Sequence, residues 1–227
     1  MTKLTWLGHA SWLIETDAHR VLLDPFLTDN PAATAKPDDF ADVSHVLVSH
    51  GHFDHIGDVA TIVKQAGASL ITNFEIANWF TREHSLEGAT GMNLGGSLAT
   101  DFGSVKYLPA LHSSMLPDGS DGGNPGGFLL TIGGSRIYFA GDTALFSDMR
   151  LYAHGVDVAV LPIGDLFTMG IDDSIRAIEL IEPKAVLPSH YNTWPPIAQD
   201  AQAWAERVEN ETEAAAVVLE VGGTFEV

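Results

Sequence analysis

The sequence predicts a layered α/β protein in which sheets are covered by helices. Three observations lead there. Each half of the chain opens with short apolar strands joined by turn residues, which reads as a meander. Each half then passes into strand–helix segments. The chain has 227 residues, 45% of them hydrophobic and including 11 Phe and 5 Trp, enough for one large core and too few for two ordinary domains. Residues 1–227 are therefore read as a single domain.

The elements follow in order. Residues 4–7, 12–15 and 21–23 form the first meander, with turns near Gly8-His9 and Asp17-Ala18-His19. Residues 28–42, rich in Asp, Ala and Pro, make an irregular surface connection, and the β-branched run 43–49 a buried strand. Ile56, Val59, Ala60, Ile62 and Val63 recur at helical spacing until Gly67. A strand over 70–72 and a helix over 75–84 come next. Strands over 105–111, 128–132 and 136–140 form the second meander, with Gly133-Gly134 as a hairpin turn. A buried strand covers 156–162. A helix capped by Asp172 or Asp173 then presents Ile175, Ile178 and Ile181 on one face and ends at Pro183. A strand over 185–188, a helix over 197–210 and a last strand over 217–221 complete the chain.

Composition removes several function classes. The absence of cysteine excludes disulfides, thiolate ligands and cysteine nucleophiles, so a bound metal must take its ligands from His, Asp and Glu. That donor set suits zinc foremost, then manganese, iron or nickel. Eleven basic against 30 acidic residues give a net charge of −19, which repels phosphate backbones and argues against a nucleic-acid partner. No run of 18 apolar residues marks a membrane span, and the N-terminus has no signal-peptide pattern, so a cytoplasmic protein is expected.

The strongest motif is Ser49-His50-Gly51-His52-Phe53-Asp54-His55, which puts three imidazoles and a carboxylate directly after a predicted buried strand. At a strand end these side chains can converge, and Gly51 lets the backbone turn between two of them. Four polar groups beside a hydrophobic interior need a partner, and a dication provides one. Four donors within six residues cannot all reach one ion, so they divide between two. Three further candidates follow apolar strands: His112, Asp142 and His190.

This order of ligands resembles the metallo-β-lactamase superfamily. Trp6-Leu7-Gly8-His9-Ala10-Ser11, Tyr138-Phe139-Ala140-Gly141-Asp142-Thr143, Pro162-Ile163-Gly164-Asp165 and His190-Tyr191-Asn192-Thr193 extend the resemblance to the small metal-dependent hydrolases related to ascorbate-phosphate lactonases. It implies a four-layer αββα sandwich and a hydrolase with two divalent ions. His50, His52 and His112 would hold one ion, Asp54, His55 and His190 the other, with Asp142 bridging. Two such ions ~3.5–4 Å apart lower the pKa of a shared water from ~16 toward ~7. The hydroxide would attack a small-molecule lactone, ester or phosphodiester, and Asp54 would take a proton. Asp142 favours lactonase, thioesterase or phosphodiesterase chemistry over lactam cleavage.

Secondary expectations attach to other residues. His9 is either a turn histidine or a catalytic-site neighbour of the metals. Tyr191 and Asn192 either orient ligands or pack beneath them. Asp165 is a candidate neighbour of the ligands, and Asp24 either anchors the loop beneath them or caps a turn, the second reading being preferred. His19, His45, His84 and His154 are read as ordinary surface or strand-edge residues. The polar tract 115–127 is expected to be a mobile flap over the site. Leu166 and Ile171 depart from the pattern of the resembled branch, where Asn and Pro are commoner. Aromatic residues near 79–80 and 194 serve either a homo-oligomer interface or the core. The competing functions are a phosphodiesterase or nuclease on the same metals, a di-iron redox protein, and a non-catalytic metal scaffold.

Overall fold

A computed structural model describes residues 1–227. Strands β1 (Lys3–Gly8), β2 (Ser11–Glu15) and β3 (Arg20–Leu23) form the expected antiparallel meander. Three strands then add in parallel: β4 (His45–Leu47), β5 (Ser69–Asn73) and β6 (Thr90–Met92). The second sheet repeats this plan. Antiparallel β7 (Ser97–Thr100), β8 (Gly103–Pro109), β9 (Gly126–Ile132) and β10 (Ser135–Phe139) precede parallel β11 (Val158–Pro162), β12 (Ala185–Ser189) and β13 (Ala215–Ala216). Strand β14 (Thr224–Glu226) returns to pair with β1, so each sheet has seven strands.

Alternation along the strands sorts the apolar residues into layers. Trp12 and Ile14 of β2 face the second sheet, while Leu13 faces the other way. The outer face of the first sheet packs against helices α1 (Phe53–Ile56), α2 (Val59–Ala66) and α3 (Phe74–His84) through Val46, Ile62, Val63, Ile76 and Phe80. The second sheet is covered by α4 (Met149–Ala153), α5 (Ile171–Ile181) and α6 (Ala201–Glu211), which contribute Met149, Ile175, Ile178, Trp204 and Val208 to the larger core. The result is the αββα sandwich.

Several expectations need correction. Residues 217–221 are not a strand: after Val217 bonds to Val186, the chain leaves the second sheet and crosses to the first, where Gly222 and Gly223 bond to Trp6. Helix α5 begins at Gly170 without a side-chain cap; Asp172 and Asp173 lie in its first turn, where they favour the helix dipole instead. The last helix starts at Ala201, capped by Asp200, whose side chain accepts from the Gln202 and Ala203 amides. The tract at 115–127 is tied down rather than free. Leu116 is buried, Gly122 bonds with Ser114, Asn73 donates to the carbonyls of Gly122 and Asn124, and Trp79 Nε1 donates to Asp118. Trp79 and Phe80 are buried, which assigns them to the core.

Topology places every candidate ligand at one edge. Strands β1, β3 and β4 run the same way, as do β8, β10, β11 and β12. The loops after these strands carry His9, Asp24, the 50–55 motif, His112, Asp142 and His190. No helix is long and apolar enough to cross a membrane.

Trp204 is fully buried between α6 and the sheet, and its Nε1 donates to Ser174 Oγ at 2.9 Å. Trp204→Ala is expected to destabilise the fold by about 3–5 kcal/mol, read as a lower urea midpoint at unchanged slope. A loss below ~1 kcal/mol would contradict this packing.

Candidate metal centre

Ser49 opens the ligand loop. Its amide and its hydroxyl donate to the two oxygens of Asp24, at 2.7 and 2.6 Å. Asp24 also meets His55 Nδ1 at 2.9 Å, which leaves Nε2 of that ring directed at the cluster. The preferred turn-capping role for Asp24 is thus replaced by a positioning role. Its carboxylate fixes both the loop and one ligand ring, and nothing in the local sequence shows that a partner 31 residues away completes it. Gly51 does not adopt a left-handed backbone angle, and its open side lies close to Leu116. A Cβ there would lie 3.1 Å from the Leu116 side chain.

Around the ligands, Asp142 is central. Its Oδ2 lies 3.0 Å from His190 Nε2, 3.4 Å from His55 Nε2, 3.6 Å from His112 Nε2 and 4.0 Å from His50 Nε2. His50 Nε2 and His52 Nδ1 are 3.0 Å apart, with Ser49 Oγ 3.0 Å from His50 Nδ1 and Ser113 Oγ 3.2 Å from His52 Nε2. Two adjacent donor groups result: His50, His52 and His112 on one side, and Asp54, His55, His190 and His9 on the other. His50 and His55 also approach Asp142 together, so that carboxylate lies where the two groups meet.

The donors fit divalent ions. His55 Nε2, Asp142 Oδ1 and His190 Nδ1 are buried with no hydrogen-bond partner. Packed imidazoles and carboxylates left in this condition are costly without a cation. Nitrogen and oxygen donors with no thiolate suit zinc, manganese, iron or nickel.

Residues 19–191 match the family model described as a beta-lactamase superfamily domain. A UPF0173 metal-dependent hydrolase from Thermus thermophilus is 48% identical over 209 residues, covering 91% of each chain. The chain belongs to the UPF0173 metal-dependent hydrolases. A second member, from Pyrococcus furiosus, is 43% identical over the whole of both chains. The solved structure of Igni18, a metallo hydrolase from Ignicoccus hospitalis, covers 100% of this chain and 99% of its own at a TM-score of 0.90 and 34% identity. This chain is accordingly a metal-dependent hydrolase with the metallo-β-lactamase fold.

Electrostatics in the cluster follow burial and neighbouring charge. Burial opposes ionisation of Asp142, but His190 and His55 outweigh it and hold its carboxyl well below the usual range. Burial likewise opposes a charge on His55, yet Asp142 and Asp24 on either side raise its pKa well above the ordinary imidazole value. Burial, and then the neighbouring His55, lowers His50 and His52. Burial also lowers His112, against the opposing pull of Asp142. These shifts favour the neutral form of His50, His52 and His112, the form that offers a lone pair to a metal.

His9 lies behind Asp54. It is fully buried, its Nε2 is 3.1 Å from Asp54 Oδ2, and its Nδ1 is 2.8 Å from Thr193 Oγ1. Burial, then His190, pushes its pKa down to about 4. A neutral ring that donates from Nε2 to the carboxylate and accepts the Thr193 hydroxyl at Nδ1 satisfies both contacts. Asp54 itself stays ionised: burial pushes its carboxyl up, but His9 and then His55 hold it well below the usual range.

Other expectations resolve toward structure. Tyr191 stacks on Trp6 with ring centres 5.1 Å apart, and Asn192 accepts from the Gln199 amide, so neither touches a ligand. Asp165 caps its own turn by accepting from the Leu166 amide. Sequence reasoning missed Ser49 and Thr193, and it read the aromatic at 194 as interface or core, whereas the Trp194 ring lies 5.1 Å from that of His9. Thr193 lay within a motif already singled out, but only the fold shows that it faces the first strand.

Asp24→Asn is expected to weaken metal binding about 10–100-fold while the protein remains folded, because His55 loses its carboxylate partner. Chelator competition measures this directly, and wild-type affinity in the variant would refute the clamp.

Proposed function

We propose that this hydrolase works with two divalent ions, zinc foremost, on a small-molecule ester, lactone or phosphodiester. His50, His52 and His112 hold one ion, Asp54, His55 and His190 the other, and Asp142 is shared. One observation carries this reading: a single oxygen of Asp142 has nitrogens from four histidines within 3.0–4.0 Å, drawn from both donor groups. An isolated buried carboxylate would be satisfied by one or two such contacts.

When bound, a pair of ions of this kind polarises the attacked oxygen and makes water nucleophilic at neutral pH. The side chains do the rest. Asp24 and Ser49 hold the rings of His55 and His50 in place. His9 orients Asp54, whose ionised carboxylate accepts a proton from the attacking water and returns it to the leaving oxygen. Burial of His50, His55, Asp142 and His190 keeps bulk solvent from competing at the centre.

Asp142→Ala is expected to lower the metal content from about two ions per chain toward one and to abolish hydrolysis. Elemental analysis paired with an ester, lactone and phosphodiester panel tests this. Two ions and normal turnover in the variant would remove Asp142 from the shared position.

A further inference from the structure

Large apolar side chains are normally covered, and their exposure in a cluster marks a binding surface. Four of the nine large apolar residues exposed in this chain lie on segments at the edge that carries the candidate ligands. Phe53, 58% exposed, lies between ligands His52 and Asp54, and Leu111, 55% exposed, directly precedes His112. Leu166 and Phe167, 66% and 55% exposed, occupy the loop after β11. That loop is built into the site. Met169 N bonds to Thr143 O beside Asp142, and a Cβ on Gly164 would lie 2.2 Å from the carbonyl oxygen of His190. Leu111 joins the same junction, its amide donating to Thr143 Oγ1 and its carbonyl accepting from Ala144. Across the centre, Phe53 and Phe26 pack with Trp194, at ring separations of 6.1 and 5.9 Å.

Leu166 carries a second, independent cost. Its φ is 49°, in the left-handed region, where Asn or Gly is accommodated and a leucine is strained. In the free protein this leucine gains neither burial nor backbone ease. A side chain kept under both penalties at the mouth of an active site points to contact with something apolar that enters there. The long-range field disfavours an anion as that ligand. The net charge is −19, and Lys3, Arg20, Arg82, Arg176, Lys184 and Arg207 are committed to surface carboxylates.

We infer that Leu111, Leu166 and Phe167 form an apolar wall for the acyl side of the substrate, so that the enzyme takes uncharged carboxylic esters or lactones bearing an apolar substituent. This rests on the hydrolytic reading above and narrows it. Leu166 and Phe167 act as specificity determinants and take no part in proton transfer.

The test is a chain-length series on the metal-loaded enzyme: p-nitrophenyl esters from acetate to octanoate, with bis-p-nitrophenyl phosphate alongside. kcat/KM is expected to rise about two- to fourfold per added methylene until the wall is covered. The double substitution Leu166→Asn, Phe167→Ser should flatten that rise while metal content stays at the wild-type level. Leu166→Asn alone should leave Tm unchanged or raise it by about 1–3 °C, since it relieves the left-handed strain. Leu151→Asn, at a still more exposed apolar position on α4, should leave the chain-length dependence as it is. Calorimetry with alkyl hydroxamates of the same lengths supplies a readout without turnover, and affinity should rise with chain length in parallel.

A flat chain-length series with ester turnover intact, or a preference for the phosphodiester, would overturn the inference and leave the hydrolase. A concentration-dependent dimer that is lost in the double variant would assign the rim to a second copy of the chain and overturn it as well. If protein carrying two ions turns over neither ester, lactone nor phosphodiester, the hydrolytic reading and this inference fall together.

Discussion

The structure depends on one constraint, which is that Asp142 carries a negative charge in a place without water. A buried carboxylate costs several kcal/mol unless positive groups or hydrogen-bond donors surround it. Its partners cannot come from nearby in the chain, because β10 leads straight into Asp142 and is covered on both faces. They come instead from the ends of β4, β8 and β12, which requires all of these strands to finish at one edge. The repeated plan of each sheet, a meander followed by parallel strands, accomplishes this. In a meander every second strand runs the same way, and parallel additions keep that direction.

A cluster assembled from two sheets works only if the sheets do not slide. Hydrogen bonds beneath the ligands hold them together. Trp12 Nε1 donates to Ser189 Oγ, Ser189 Oγ donates to the His9 carbonyl, and His190 N donates to that same carbonyl. Tyr107 does the equivalent from β8, its hydroxyl donating to the Ser49 carbonyl at 2.7 Å. At the far end of the chain the crossover from β13 to β14 closes the sandwich a second time. The shared core supplies the bulk of the stability, and these few polar contacts convert it into a fixed distance between the two donor groups.

Much of this was legible in the sequence wherever local pattern and final environment agree. The run over 43–49 reads as a buried strand and forms one at its centre, His45–Leu47, and Gly133-Gly134 turns a hairpin with φ values of 60° and 91°. The convergence of the candidate ligands was legible because each follows an apolar strand. Residues 217–221 misled because a β-branched apolar run serves a crossover as well as it serves a strand, and only pairing distinguishes the two. Strands β6 and β7 are three and four residues long and, except for Met92, partly or fully exposed, too short for alternation to register. Asp24 and Thr193 were hidden for a different reason. Their roles are defined by partners 31 and 184 residues away, and no local pattern encodes such a distance.

The backbone around the centre shows where the core's stability is used. Eight non-glycine residues have positive φ; two of them, Ser85 and Glu182, close helices, where such a conformation is an ordinary C-cap. The other six are His9, Asp24, Asp165, Leu166, His190 and Asn192, all in loops at the edge where the ligands converge. Each departs from what its side chain would choose locally, and three of them (His9, Asp24 and His190) contact the donor cluster directly. Strain of this kind persists only where the surroundings over-determine it. His9 and His190 are held by the shared carbonyl contact, Asp24 by three hydrogen bonds, and Asn192 by the amide of Gln199. Leu166 has only the bond from its amide to Asp165 Oδ1; its side chain is exposed and gains nothing from the left-handed backbone, which places the justification for a leucine there in what the site receives.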